Sequence, residues 1–230
     1  MSKVEILPAI LPKDYFELED AIDSVRALVD EVQLDICDGV FAPSRTWPYT
    51  AGQPEEDDIF AEILAEDRGL PAWDDVDYEV HLMVNDPDRV VSDWVNAGAT
   101  RILVPAERIQ DMKGIVAQYQ EWVEIAPSLN IETDISVIDS YANEIKSVQL
   151  MAIPKIGFHH APFDERVLAK IQAIKEKYPH LVIAVDGAVN EETIARLALA
   201  GATRFAVGSA IFDAENYAQA IQQLKMAARG

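Results

Sequence analysis

This chain has one cysteine, Cys37, so no disulfide can form within it, which fits a reducing compartment. It has no run approaching the roughly 18 uncharged apolar residues of a membrane helix. Met1–Ile6 runs straight into a strand pattern with no apolar signal core, and the expectation is a cytoplasmic protein. Cations are scarce: 19 Lys and Arg against 40 Asp and Glu, a net charge of -21. Phosphate backbones and anionic membranes need positive charge, so nucleic acid and membrane partners are not expected. No glycine-rich dinucleotide turn follows the first two strand-like runs, which argues against a doubly wound open sheet.

What is present is a repeated alternation of short apolar runs and helical patterns. Asn96–Val104 and Leu199–Val207 echo one another: a helix stops at Gly98 or Gly201, turns, and enters a β-rich run. Strands are expected at Val4–Ile10, Val32–Asp35, Tyr78–Leu82, Arg101–Val104, Val123–Leu129, Val148–Ile153, Leu181–Asp186 and Arg204–Val207. Helices between them include Tyr15–Val29, Asp88–Asn96, Ile135–Lys146, Asp164–Lys177 and Glu191–Ala200. Eight strands alternating with helices predict α/β architecture, a single (β/α)8 barrel over residues 1–230 as one domain.

Three of the strand runs close on Asp35, His81 and Asp186. Chemistry in such barrels gathers at the carboxyl ends of the strands, so these three are the candidate site. Asp and His donors together suit Zn²⁺, Mn²⁺ or Fe²⁺. Gln33, Asp35 and Cys37 share one strand face by their spacing of two. Gly187-Ala188 and Gly208-Ser209 follow the last two strands, where small residues and free N–H groups suit a phosphate. Lys155 with Gly157, Phe158, His159 and His160 forms a basic island that suits the same anion, and Lys155 alternatively suits a Schiff base. Arg45, Trp47 and Tyr49 sit in a long second loop that suits a lid.

Several of these residues fall in ordered motifs: Pro8-Ala9-Ile10-Leu11, Leu34-Asp35-Ile36-Cys37-Asp38-Gly39, His81-Leu82-Met83, Val185-Asp186-Gly187 and Val207-Gly208-Ser209-Ala210-Ile211-Phe212. Together and in order they resemble the ribulose-phosphate 3-epimerases, over nearly the whole chain. The resemblance implies an isomerase that epimerises a ketopentose 5-phosphate at C3. In it Asp35 and Asp186 pass protons through an enediolate, and a divalent metal sits on Asp35, His81 and Asp186. His81 and the glycine-rich turns would also face the phosphorylated sugar, Met83 and Met151 would line the pocket, and a homo-oligomer would be usual. The chain departs from the pattern at Gln33, where the family has a fourth ligand histidine, and at Ala9 and Cys37, where it has a serine and a methionine. A non-catalytic sugar-phosphate binder and a Lys155 aldolase are the alternatives.

Overall fold

A computed structural model describes residues 3–158 and 160–229. Eight strands close into a barrel in chain order: β1 (Glu5–Ile10), β2 (Glu31–Cys37), β3 (Asp77–Met83), β4 (Arg101–Pro105), β5 (Glu124–Leu129), β6 (Ser147–Met151), β7 (Val182–Asp186) and β8 (Arg204–Val207). The architecture is the (β/α)8 barrel that the alternating pattern predicts. Its helices are α1 (Tyr15–Val25), α2 (Asp58–Leu64), α3 (Pro87–Asn96), α4 (Met112–Tyr119), α5 (Arg166–Lys177), α6 (Glu191–Ala200), α7 (Ser209–Phe212) and α8 (Tyr217–Ala227). Among the described residues no helix is long and apolar enough to cross a membrane.

Contacts divide the chain into two compact units, Ala9–Ile125 and the segments before and after it. In the first unit β2 and β3 pair over their full lengths, from Glu31↔Asp77 to Cys37↔Met83. That register sets Asp35 beside His81. α3 opens with Pro87 in its first turn, where the missing N–H costs nothing, and the chain turns at Gly98 with φ +94°. Outside these strands, Trp47, Phe60 and Trp94 are buried together: Trp47 meets the other two edge to face, and Phe60 and Trp94 are tilted at 42° with centroids 4.9 Å apart. Such packing adds about 0.5–1.5 kcal/mol per pair beyond the burial itself. Trp47 and Tyr49 are therefore core residues of the second loop, not a lid over it.

In the second unit β6 pairs with β7 from Ser147↔Val182 to Met151↔Asp186, and β8 pairs with both β7 and β1. α6 starts where the sequence places it because Asn190 accepts from the backbone N–H groups of Glu192 and Thr193, while the Thr193 hydroxyl accepts from Asn190 N–H. It stops at Gly201, φ +126°, which an L side chain would resist. One expected helix is absent. Ile135–Lys146 holds only a 3-10 turn, Ile135–Ile138, opened by Asp134 accepting from Ser136 N–H. Three β-branched residues in the first four positions, then Asp139, Ser140 and Asn143, favour turns over a regular helix.

The amino ends of the strands carry partly buried ion pairs. Arg101 reaches Glu79 at 3.3 Å and Glu124 at 3.1 Å, and Arg204 reaches Glu5. Glu79 lies two residues before His81 on the same strand, so it shares that face of β3 one layer nearer the floor. The polar floor reads as structural, since barrel chemistry sits at the opposite mouth.

Candidate active site

Asp35, His81 and Asp186 are all buried, and each offers a ligand atom within 4.8 Å of the others. Each stands on a strand: Asp35 and His81 near the carboxyl ends of β2 and β3, Asp186 as the last residue of β7. His81 Nδ1 lies 3.1 Å from Asp35 Oδ1. Gln33 Nε2 donates to the same Asp35 oxygen at 2.8 Å, which the shared strand face predicts. Gln33 is fully buried, and its Oε1 has no hydrogen-bond partner among the described residues.

The donor set suits a divalent ion. It comprises two carboxylates, one imidazole and, beside them, an amide oxygen that burial has stripped of water without giving it a partner. Such a group normally costs about 1–3 kcal/mol, so its persistence asks for a reason. Oxygen and imidazole donors gathered in this way are the kind that divalent metal ions take.

The loops around this cluster are held by their own chemistry. Asp38 Oδ1 accepts from the N–H groups of Val40 and Phe41, and its Oδ2 accepts from Asn85 N–H at 2.7 Å. One carboxylate thereby joins the loop after β2 to the loop after β3. Thr46, buried, hydrogen-bonds the backbone on both sides of Ile36. Thr46 does not stand out in the sequence, and Asp38 does so only as part of the motif Leu34–Gly39, where an Asp-Gly pair after a strand marks a turn. Met83 and Met151 are buried at the ends of β3 and β6, and Met151 is the register partner of Asp186.

Gly187 adopts φ +96°, and a Cβ there would come within 2.8 Å of the Ile153 side chain. Ala188 follows at φ +52°, its carbonyl accepting from the Thr193 hydroxyl. Gly208 and Ser209 lead into the four-residue α7. Gly157 (φ +80°), Phe158 and His160 (φ +59°) lie in the loop between β6 and α5, and His160 Nε2 stands 3.7 Å from Asp213 just past α7. His159 lies outside the described residues. Lys155 is exposed with its Nζ 5.0 Å from the centre of the Phe158 ring, so no buried pocket encloses the amine.

The model of the Ribulose-phosphate 3 epimerase family matches residues 5–212. The chain belongs to that family. It is 29% identical to the ribulose-phosphate 3-epimerase of Bacillus subtilis, over 96% of this chain and 98% of that one. It is 28% identical to the ribulose-phosphate 3-epimerase of Escherichia coli, over 98% of this chain and 96% of the other. Among solved structures, 3-hexulose-6-phosphate synthase from Salmonella typhimurium covers 98% of both chains with a TM-score of 0.67 at 14% identity. Orotidine 5'-phosphate decarboxylase from Pyrococcus horikoshii gives 0.62 at 18% identity, covering 98% of this chain and 99% of that one. At such identities the likeness speaks for the barrel alone; the epimerase family is set by the sequence.

Proposed function

We propose that this chain is a ribulose-phosphate 3-epimerase-like isomerase that inverts C3 of a ketopentose 5-phosphate. The observation that carries the reading is the buried Asp35, His81 and Asp186 cluster at the carboxyl ends of three strands of an epimerase-family barrel. Two carboxylates close together beside an imidazole suit a proton removed from one face of a carbon and returned to the other. One aspartate accepts the C3 proton, leaving an enediolate. The other, protonated, gives its proton to the opposite face. One proton leaves and one arrives, and the two acids exchange roles in the reverse direction.

Asp35, His81 and Asp186 would hold a divalent ion, with Gln33 at a fourth position. Bound there, the ion supplies charge stabilisation for the oxyanion of the enediolate. Gln33 Nε2 and His81 Nδ1 both meet Asp35 Oδ1, which fixes the carboxylate's rotation. Met83, Met151 and Cys37, buried at the ends of their strands, would help keep water from the carbon acid. Gly187, Ala188, Gly208 and Ser209 would take the phosphate through backbone N–H groups, with Gly157, Phe158 and His160 closing over it. The aldolase reading is not favoured, because Lys155 is exposed, and the non-catalytic reading is not favoured by the relatives, which are named as epimerases.

The test is solvent exchange. With ribulose 5-phosphate in deuterated water, the wild type should place deuterium at C3, and Asp35→Asn and Asp186→Asn should each slow epimerisation by about 10²–10⁴-fold, the usual contribution of a positioned acid or base. Undiminished turnover in either variant, or no exchange by the wild type across ketopentose phosphates, rejects the assignment.

A further inference from the structure

β1 and β2 stop pairing early. Their register runs Ala9↔Gln33 and Ile10↔Leu34, and β1 ends at Ile10, whereas β2 continues three residues further through Asp35 to Cys37. On its other edge β2 stays paired with β3 as far as Cys37↔Met83. The strand that carries Asp35 therefore leaves the ladder on one side at the residue where the chemistry begins. Backbone groups of residues two apart point to the same edge of a strand. Asp35 C=O and Cys37 N–H thus face one way, and buried groups of this kind need partners.

Thr46 supplies both. Its hydroxyl donates to Asp35 O at 2.9 Å and accepts from Cys37 N–H at 2.8 Å, and its own backbone N–H donates to Cys37 O at 3.1 Å. The next residue completes the join: Trp47 N–H donates to Pro12 O at 2.9 Å, just beyond the end of β1. Thr46-Trp47 thus stands in for the missing strand, hydrogen-bonded to β2 on one side and to the chain leaving β1 on the other. Its place is set from outside the site. The Trp47 indole N–H donates to Asp57, and the ring packs against Tyr15, Phe60 and Trp94.

We propose that Thr46 is the positioning residue for Asp35: one buried hydroxyl, acting as donor and acceptor at once, sets the backbone from which the carboxylate projects. Serine can make the same two bonds and valine, of the same shape, can make neither. Displacement of a reacting group by about 1 Å can cost on the order of 10²-fold in rate, so the effect should exceed that of a bond worth only stability. The inference rests on Asp35 acting as proton-transfer group and metal ligand, and the experiment separates the two claims.

Thr46→Val, Thr46→Ala and Thr46→Ser are compared with wild type, at a temperature well below every melting point, in epimerisation kinetics and in Mn²⁺ titration of chelator-stripped protein. Thr46→Val and Thr46→Ala should lower kcat by about 10–100-fold with KM changed by less than about threefold, and should weaken Mn²⁺ binding by tenfold or more, while Thr46→Ser restores both to within about threefold. If Val does not fold, Ala is judged by the same criteria. Unchanged kcat and Mn²⁺ affinity in folded hydroxyl-free variants, or equal impairment in the serine variant, overturns the role of Thr46 and leaves the epimerase reading standing. Wild type that neither exchanges C3 nor binds Mn²⁺ overturns both.

Discussion

Gln33 donates its amide N–H to Asp35 Oδ1 at 2.8 Å, and the oxygen of the same amide meets no partner among the described residues. Half of this side chain serves a carboxylate and half is unspent. An imidazole at this place would offer the ion a nitrogen; the amide offers an oxygen, a weaker donor to Zn²⁺.

Gln33→His should therefore raise Zn²⁺ affinity by tenfold or more, about 1.4 kcal/mol, with a smaller change for Mn²⁺. Gln33→Leu should lower both. Titration of chelator-stripped protein with each ion checks this, and an unchanged ratio of Zn²⁺ to Mn²⁺ affinity in the histidine variant counts against an amide ligand at the site.

The pair at the amino ends of β1 and β8 gives a pH signature. Burial alone pushes the Glu5 carboxyl up, but the charge and hydrogen bond of Arg204, joined by Lys3, outweigh it and hold Glu5 below its ordinary value of 4.5. A carboxylate depressed in the folded state stabilises above its unfolded pKa, and that contribution is lost as pH falls through the folded value. Glu5→Gln should cost roughly 1–2 kcal/mol at pH 7, discounted for the third of the side chain that solvent screens, with the gap to wild type closing in acid. Urea unfolding across pH 7 to pH 3 reads this; a gap that is constant with pH would assign the loss to packing.

Gly187 meets two objections to any side chain at once, φ of +96° and the Ile153 side chain within 3.0 Å of a Cβ. Gly187→Ala should cost about 1–3 kcal/mol for the backbone strain, and Ile153→Val in the same chain should recover part of the loss by relieving the contact. Because Gly187 follows Asp186 directly, the alanine variant should also raise the KM of the phosphorylated substrate, which steady-state kinetics would show.

Trp94 packs at 4.9 Å from Phe60 and edge-on to Trp47. Trp94→Ala should cost about 3–5 kcal/mol by the cavity it leaves. Because that cluster anchors Thr46, its kcat should fall as well even where the variant is fully folded. Unfolding midpoint and kcat measured on the same preparation check both.

Much of this architecture is legible in the sequence, and particular residues show why. α6 and β8 lie where the helical pattern of Glu191–Ala200, its stop at Gly201 and the run after it place them, because periodicity and positive-φ glycines are local signals. Asp35, His81 and Asp186 are legible as the polar ends of apolar runs, and the structure brings them within 4.8 Å. The segment from Ile135 is misread because apolar spacing alone does not weigh β-branched stiffness and the Asp and Ser that follow. Strand ends are the other weak point: β2 runs to Cys37 because β3 and Thr46 pair with it, partners that local pattern does not reveal. The roles of Asp38 and Thr46 are illegible for the same reason, since each exists only through residues distant in the chain.

The shared carboxylate of Asp38 has a mechanical consequence. It grips amides in the turn after β2 and at Asn85 after β3. Two rims of the barrel mouth are thereby riveted into one plate, and a substrate that tugs either rim must carry the neighbouring one along.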